Sequence, residues 1–349
     1  MAISKAGAVE ITAVVAGTEC PSEHLRSLVI SRDLNQPDEC LVVLGNQDHS
    51  YTKSAEISKS LEVKHKDSGK VLFKGEIVGL EPMYKGMAPT TIAVRGYNKM
   101  HRMLRGRKSM TFSDKTDKQI ISEVATKHGL TVEWEGPEIS HKLVYQHNQT
   151  DLEFCRTRAS RVGCFLWCVD TKLYCKVPKL DGSEVATLEV KQQGQDNQLR
   201  VFNPRLGSAG VVKKVVVKGW NPEKKELITG EAEAGGSSLG SQGAAAAAGD
   251  YGKVETFEVD TPVWTPEEAK ALAKARLTQH SLSYMTGTAE TIGTADFDLA
   301  TIAKFVINPN GQDRFNGKYF ITGLTHRYSQ EAKDGFVTDL RLARDGQDS

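Results

Sequence analysis

The sequence has almost no net charge, no long apolar run and no export signal. Lys and Arg total 45 against 44 Asp and Glu, which leaves a formal net charge of +1. Attraction to nucleic acid or to an anionic membrane would therefore require a local patch. No apolar run approaches the roughly 20 residues that span a bilayer, and the N-terminus lacks a secretory signal. We expect cytoplasmic assembly without stable membrane association, and export only within a larger particle.

Familiar catalytic and nucleotide-binding motifs are also missing. The sequence contains no G-x-S-x-G elbow, no H-E-x-x-H, no Walker loop and no dinucleotide-binding glycine fingerprint. Acidic residues are plentiful, but no pair lies in a context that indicates a shifted pKa. We therefore predict that the protein is not an enzyme, with no catalytic residues and no cofactor.

Cysteine is scarce, and its spacing does not favour a metal site. The six cysteines are Cys20, Cys40, Cys155, Cys164, Cys168 and Cys175. A chain of this length does not need disulfide bonds, so we interpret them as free thiols. Cys164, Cys168 and Cys175 lie near His141 and His147, which raises the alternative of a zinc site. The spacing is C-x3-C rather than paired C-x2-C, and 164–169 has the pattern of a buried strand, so we predict packing and no metal.

The first hundred residues have the pattern of short antiparallel strands. Alternating stretches at 8–15, 25–30, 39–44 and 60–65 are separated by turn residues, including a turn predicted at 85–89. This is the pattern of an antiparallel barrel or sandwich, and we assign residues 1–105 to a first β-barrel domain.

Helices appear in the next hundred residues. Thr116 with Gln119, and Thr150 with Glu153, form capping boxes that begin two helices. A hairpin follows, with strands predicted at 164–169 and 173–177. We assign residues 106–205 to an inserted α/β domain.

The strand pattern returns in the last part of the chain. We assign residues 206–349 to a second β-barrel domain, interrupted by a flexible Gly/Ala/Ser-rich excursion at 230–252 and by a helix at 265–282. The fold class predicted is thus mainly β, with two similar antiparallel barrels and an inserted α+β domain.

An internal repeat links the two barrels. Residues 73–84 resemble residues 315–328, with two extra residues between the glycines of the second copy, a change that preserves the face of every later side chain. An alternating strand follows each copy. Three copies of a chain with two similar barrels would present six quasi-equivalent faces, so a threefold ring could match a hexameric partner.

Several segments resemble one known family. Residues 144–156 and 163–167 are similar to the Y-x-E-S-D-x-E-F-L-x-R-L…E-G-x-x-Y stretch of VgrG and phage late control D proteins, the gp27-like baseplate hub proteins of contractile injection systems. Residues 105–121 resemble the family's basic turn and first insertion helix, and residues 265–269 and 315–322 its last helix and closing barrel. The family's glutamate and serine are replaced here by the run at 146–150, although the helix-capping chemistry survives through Thr150.

The resemblance implies a structural role. It predicts a homotrimeric, pseudo-sixfold ring that adapts a hexameric inner tube protein to a trimeric spike protein, together with other baseplate components, in a phage-tail-like particle such as a virion or an extracellular injection particle. Family members often continue into an OB-fold and a β-helical needle. Neither is present in this sequence, so the spike is expected either as a separate protein or outside the sequence given.

The alternative functions are nucleic-acid binding and secreted adhesion. The basic segment 99–108 contains Lys99, Arg102, Arg105, Arg107 and Lys108, with His101 between them. These cations could contact phosphates. However, aromatic residues are almost absent from the segment, and its Met and Leu residues indicate one packed face. We therefore expect a solvated or subunit-facing basic turn, and no required nucleic-acid contact. A secreted adhesin would need an export route that the sequence lacks.

Overall fold

The computed structural model describes residues 11–86, 89–190, 198–307, 313–332 and 335–348. Residues 8–10 of the first predicted strand and residues 87–88 of the turn predicted at 85–89 lie outside these ranges.

Strands dominate the described part of the chain. They are β1 (Ile11–Val15), β2 (Thr18–Glu19), β3 (Leu25–Asp33), β4 (Glu39–Gly45), β5 (Ser60–His65), β6 (Val71–Met83), β7 (Thr91–Tyr97), β8 (Lys108–Thr116), β9 (Thr131–Glu135), β10 (Ser140–Gln149), β11 (Phe165–Val169), β12 (Lys172–Lys176), β13 (Glu184–Glu189), β14 (Leu199–Leu206), β15 (Lys214–Asn221), β16 (Glu226–Glu233), β17 (Gln242–Gly243), β18 (Glu255–Glu258), β19 (Met285–Ile292), β20 (Ile302–Val306), β21 (Gly317–Ser329), β22 (Phe336–Arg344) and β23 (Gly346–Gln347).

Helices are fewer. The α-helices are α1 (Ser50–Ser54), α2 (Asp117–Thr126), α3 (Asp151–Arg161), α4 (Ala244–Ala247) and α5 (Pro266–Leu282), and short 3-10 helices span Ser22–His24, Lys99–Leu104 and Gly249–Lys253.

One continuous sheet contains thirteen of the strands. Its order is β14-β19-β22-β21-β3-β4-β7-β6-β5-β1-β2, with β20 paired to β21 and β13 paired to β20. Strands of the two predicted barrels therefore join through antiparallel β3 and β21, where Leu28 lies opposite Tyr328. The prediction of a mainly β protein is confirmed, whereas the division into two barrel domains stays a prediction.

Alternating side chains place one face of this sheet on apolar cores. Along β4, residues from Glu39 to Gly45 alternate strictly between partly exposed and buried, as expected when one face of a strand is covered. Buried residues form one apolar cluster that includes Ile30 and Val94 and a second that includes Tyr319 and Leu324. Strands of the one continuous sheet therefore contribute side chains to both apolar clusters.

The predicted insertion contains two small sheets and two helices up to β12, whereas β13 and β14, assigned to the same insertion, belong to the thirteen-stranded sheet. Strands β8 and β10 pair antiparallel, while β12 pairs antiparallel with β11 and parallel with β9. The predicted hairpin at 164–177 is thus confirmed as β11 and β12. Helices α2 and α3 contribute Ile121 and Cys155 to a third core cluster, which also contains Leu166.

The two insertion helices begin with the same capping box. Thr116 accepts the Gln119 amide at 3.3 Å, and Thr150 accepts the Glu153 amide at 3.2 Å. In each case the side chain of the third helical residue accepts the amide of the threonine at 2.9 Å. Both helix starts predicted from the sequence are therefore confirmed.

The same two helices also end alike, at the same spacing from their capping threonines. Gly129 and Gly163 follow them with φ of +73° and +78°, the left-handed conformation that glycine adopts without strain. The closing hydrogen bonds match: the Leu130 amide donates to the Ala125 carbonyl at 3.1 Å, and the Cys164 amide donates to the Ala159 carbonyl at 2.9 Å. The insertion thus contains two equivalent strand–helix–strand units.

A three-stranded sheet of order β16-β15-β18 packs against α5. Val215, Val217 and Ile228 of the sheet contact a helix face that includes Leu272 and Ala273. The helix predicted at 265–282 is α5, and the Thr265 hydroxyl accepts a 3.2 Å hydrogen bond from the amide of Glu268.

The stretch predicted to be a flexible excursion, 230–252, is instead anchored to the end of the chain. Strand β17 pairs with β23, and Leu239 is buried. The Asp345 carboxylate accepts the amides of Ser238 and Leu239 at 3.0 and 3.2 Å, and the buried Arg344 guanidinium donates to the Leu239 carbonyl at 3.0 Å. Polar contacts rather than apolar bulk hold this segment, which explains why its composition indicated flexibility.

Candidate assembly surfaces

The two repeated segments of the sequence form equivalent bulged hairpins. In the first, β6 pairs with β7, and the register shifts immediately before Gly79, which lies opposite Arg95. In the second, β21 pairs with β22, and the register shifts immediately before Gly323, which lies opposite Arg341. A bulge is a position-specific feature of a sheet. The shared bulge, glycine and arginine therefore support the internal duplication.

Arg95 and Arg341 of the repeated hairpins are each neutralised by carboxylates of other strands. Arg95 pairs with Glu39 of β4 and, at 3.2 Å, with Glu81 of β6. Arg341 donates to Asp33 of β3, with Nε 2.8 Å from Oδ1. Arg95 therefore links three strands, whereas Arg341 of β22 reaches across β21 to β3, and neither provides a free positive charge.

Gly323 allows the second of these arginines to cross its neighbouring strand. A Cβ atom at this position would collide with the Asp33 carboxylate and the Arg341 guanidinium. At Gly79 a Cβ atom would be 3.5 Å from the Arg95 Cβ, an ordinary contact. The two bulges thus share a backbone geometry but differ in how closely side chains pass over them.

Further ion pairs extend across the solvent face of the sheet. Arg327 of β21 lies 2.9 Å from Glu290 of β19 and 2.6 Å from Asp339 of β22. Exposed pairs of this kind contribute little stability, but they leave a polar face with balanced charge. The sequence analysis did not single out these charged residues; for Arg95 and Arg341, the available signal was an arginine on the strand that follows each repeated Gly-Leu.

The basic segment 99–108 is largely paired within the chain. Arg102 and His101 both contact Glu76, Arg107 lies 3.3 Å from Glu153, and Lys108 lies 2.6 Å from Asp151. Met100 and Met103 are fully buried, as the sequence predicted for one face of this segment, whereas Leu104, predicted on the same face, is 47% exposed.

The effect of these contacts is to reduce the charge available to a phosphate. Burial raises the pKa of Glu76, and hydrogen bonds from Arg102 and His101 outweigh that effect, so its pKa lies below the ordinary value. The carboxylate is therefore charged at neutral pH and offsets one cation of the segment. This arrangement favours a structural turn over nucleic-acid binding.

Buried aspartates at the first position of α2 and α3 connect the two helical units. Asp117 accepts from Arg158 at 2.6 Å and lies 2.9 Å from His141. Burial raises its pKa, and the hydrogen bond with His141 and the charge of Arg158 outweigh this effect to give a net lowering. Asp151 lies 2.7 Å from His128 and accepts from Gln146 at 3.0 Å. Each aspartate thus contacts residues of the other unit, which gives these pairs a structural role.

The candidate zinc ligands do not converge on one site, although the side chains of Cys164 and Cys175 are in contact. Cys164, Cys168 and Cys175 are buried in the core of the insertion, and burial raises the pKa of the Cys168 thiol to about 12. His141 pairs with Asp117 and Glu268. In the ranges that the structure describes, no group of three or more His, Cys, Asp or Glu side chains is placed to hold a metal ion.

The helices also bear on membrane insertion. Among the described residues, no helix has the length and apolarity needed to cross a membrane.

Comparison with known proteins places the chain in a family and its fold among tail proteins. The family model described as the Alg8 N-terminal domain matches residues 6–330. No curated protein matches the chain.

Several solved structures share the fold at low sequence identity. The tail protein from Neisseria meningitidis MC58 has a TM-score of 0.71 at 15% identity, with 97% of each chain covered. The 43 kDa tail protein of prophage MuSo2 from Shewanella oneidensis has a TM-score of 0.70 at 14% identity, covering 97% of this chain and 100% of that one. The E. coli c3393 protein, described as a type VI secretion component similar in structure to bacteriophage T4 tail proteins gp27 and gp5, has a TM-score of 0.63 at 10% identity, covering 92% and 73%. The chain adopts the fold of these proteins, and it belongs to the Alg8 N-terminal domain family.

Proposed function

We propose that the protein is a structural hub subunit of a contractile, phage-tail-like injection system. The observation that carries this proposal is the pair of equivalent bulged hairpins within one continuous sheet. The fold shared with phage tail proteins and with a type VI secretion component supports it.

The role we propose is symmetry adaptation. Three chains form a ring in which the two similar barrels of each chain give six quasi-equivalent faces. Such a ring adapts a hexameric inner tube protein on one side to a trimeric spike protein on the other. Arg95 and Arg341 occupy equivalent places in the two repeated hairpins, as this arrangement requires.

The work of this subunit is geometric rather than catalytic in this proposal. Its partners are two further copies of itself, the tube protein, the spike protein and other baseplate components. Assembly takes place in the cytoplasm, and the subunit then remains in the tail-like particle. Nucleic acid and stable membrane association are not needed.

Mass measurement and imaging of the purified chain test the proposal. We expect a trimer by light scattering and, by electron microscopy, a threefold ring with a sixfold appearance. The trimer should persist in 0.5 M salt, roughly three times physiological ionic strength, without affinity for DNA. A stable monomer, or DNA binding that falls steeply with salt, would contradict it.

A further inference from the structure

Exposed apolar side chains are concentrated on the small sheet that packs against α5. Trp220 of β15 is 57% exposed, Leu227 of β16 is 62% exposed and Phe257 of β18 is 57% exposed. Val259, just beyond β18, is 61% exposed. Monomeric proteins rarely leave a large contiguous apolar patch in water, and such patches commonly mark interaction sites.

These side chains share one face of the sheet. Val215 and Val217 point toward α5, so Trp220, at odd spacing from both, points away from the helix. Trp220 lies opposite Leu227, and Phe257 pairs with Val216, which lies on the same outward face. We call Trp220, Leu227 and Phe257 the outer apolar face.

Many of the charged side chains around this face form ion pairs within the chain. These ion pairs include Lys142–Glu223 at 2.6 Å, Lys214–Glu231 at 2.6 Å and Lys213–Glu233 at 3.3 Å. The Lys218 ammonium lies 5.1 Å from the centre of the Phe257 ring. Nucleic acid and anionic lipid are recognised by clusters of unpaired cations, so a largely balanced charge around an apolar centre favours a protein surface.

The size and layout fit one half of a protein interface. The outer apolar face offers roughly 400 Å² of apolar area, since a whole aromatic side chain buries 150–250 Å². A standard interface buries about 800 Å² per partner, with an apolar centre and a polar rim. The paired lysines and glutamates supply such a rim.

We propose that the outer apolar face is buried against a neighbouring copy of this chain. The inference rests on the proposed ring, because a ring of identical subunits requires each chain to bury one surface against a different surface of the next. Trp220 and Phe257 provide the rigid aromatic anchors typical of the centre of an interface.

A triple substitution tests the inference directly. Trp220→Thr, Leu227→Thr and Phe257→Thr together remove the apolar area while keeping strand-favouring residues. The matched control replaces exposed apolar residues elsewhere, as Val71→Thr, Leu104→Thr and Val169→Thr. Circular dichroism checks the fold, and sedimentation gives the mass of each variant across a concentration series.

We expect the wild type and the control to form trimers. In the triple variant, the apparent dissociation constant of the trimer should rise at least about 100-fold. If a folded triple variant forms trimers like the wild type, the inference fails and the proposed function stands. If the wild type is a monomer at every concentration, the ring itself fails and the inference with it.

Hydroxyl-radical labelling of the wild type provides a test that does not depend on the folding of a variant. Oxidation of Trp220, Leu227 and Phe257 is measured by mass spectrometry in concentrated and in dilute samples. We expect at least fivefold protection on assembly, with no change at Val169. Equal labelling of the outer apolar face in trimer and monomer would overturn the inference.

Discussion

At the residue scale, His326 shows how burial overrides the ordinary chemistry of a side chain. The imidazole is 1% exposed, and its Nδ1 lies 3.0 Å from the Thr338 hydroxyl. Burial lowers the pKa of His326 to about 3, and the nearby charges of Arg32 and His65 act in the same direction. The neutral ring is therefore part of the folded core.

This lowered pKa predicts a specific loss of stability in acid. In the unfolded chain this histidine binds a proton near the ordinary imidazole pKa of 6.5, whereas in the folded chain it does so near 3. The contribution of the neutral His326 to folding stability is therefore fully present above pH 6.5, and it is lost as the pH falls from 6.5 toward 3. Between pH 7.5 and pH 4.5 we expect the free energy of unfolding of His326→Gln to fall by about 2 to 3 kcal/mol less than that of the wild type.

Urea denaturation at pH 7.5 and pH 4.5 measures the effect. The exposed His147 supplies the matched control as His147→Gln, which should follow the wild-type curve. Parallel losses in wild type and His326→Gln would show that another group dominates the acid response.

The two bulge glycines provide a matched pair of substitutions. A methyl group at Gly323 must displace the Asp33 and Arg341 side chains, whereas one at Gly79 meets only an ordinary contact with Arg95. We expect Gly323→Ala to lose about 1 kcal/mol, because it breaks the ion pair and displaces both side chains. Gly79→Ala should stay within about 0.5 kcal/mol of wild type. Guanidinium denaturation of both variants gives the comparison, and equal losses would contradict the difference between the bulges.

At the element scale, the sequence predicted the features that depend on residues close together in the chain. Both capping boxes were predicted because a threonine and a residue three positions later determine the hydrogen bonds. The likeness of the two helical units was not predicted, because it becomes clear only when Gly129 and Gly163 are seen to close both helices with the same bonds. Each signal alone is common in proteins.

The anchored segment 230–252 shows the opposite case. Its composition is poor in large apolar groups, so sequence reasoning predicted flexibility. The contacts that order it come from Arg344 and Asp345, far along the chain. Such non-local polar contacts leave no local pattern in the sequence.

We therefore predict that one substitution releases this segment. Asp345→Ala removes the acceptor of two backbone amides, and we expect a loss of about 2 to 3 kcal/mol, since hydrogen bonds to a charged group are the stronger kind. Limited proteolysis should then cut within residues 234–243. Asp250→Ala, at a highly exposed carboxylate, is the control and should leave both readouts unchanged. Resistance of the Asp345→Ala variant to cleavage would contradict the anchoring role.

At the scale of the whole molecule, the sequence predicted individual strands better than the pairing of strands that are far apart in the chain. The strands predicted at 39–44 and 60–65 correspond closely to β4 and β5, because alternation is a property of each strand alone. The pairing of β3 with β21 joins residues nearly a chain length apart. Nothing local specifies that register, so the continuous sheet could not be derived from periodicity.

The insertion is joined to α5 by buried charge rather than by apolar packing alone. Arg161 of α3 lies 2.7 Å from Glu268 of α5, and both side chains are nearly buried, at 11% and 5% exposed. Glu268 also accepts the Trp264 amide at 2.8 Å. A buried pair that loses one partner leaves an uncompensated charge, so this contact should couple the two parts of the molecule.

A double-mutant cycle with Arg161→Met and Glu268→Gln measures that coupling. We expect about 1 to 3 kcal/mol between the two positions, because they share one buried contact. The exposed pair Lys118–Glu138, 2.8 Å apart, is the control and should give less than about 0.5 kcal/mol. Raising the salt to 0.5 M should remove the control coupling and leave the buried one, since screening acts mainly on exposed charges. Equal coupling at the two pairs would mean that the insertion and α5 are held together by their apolar contacts, with the buried charges contributing nothing specific.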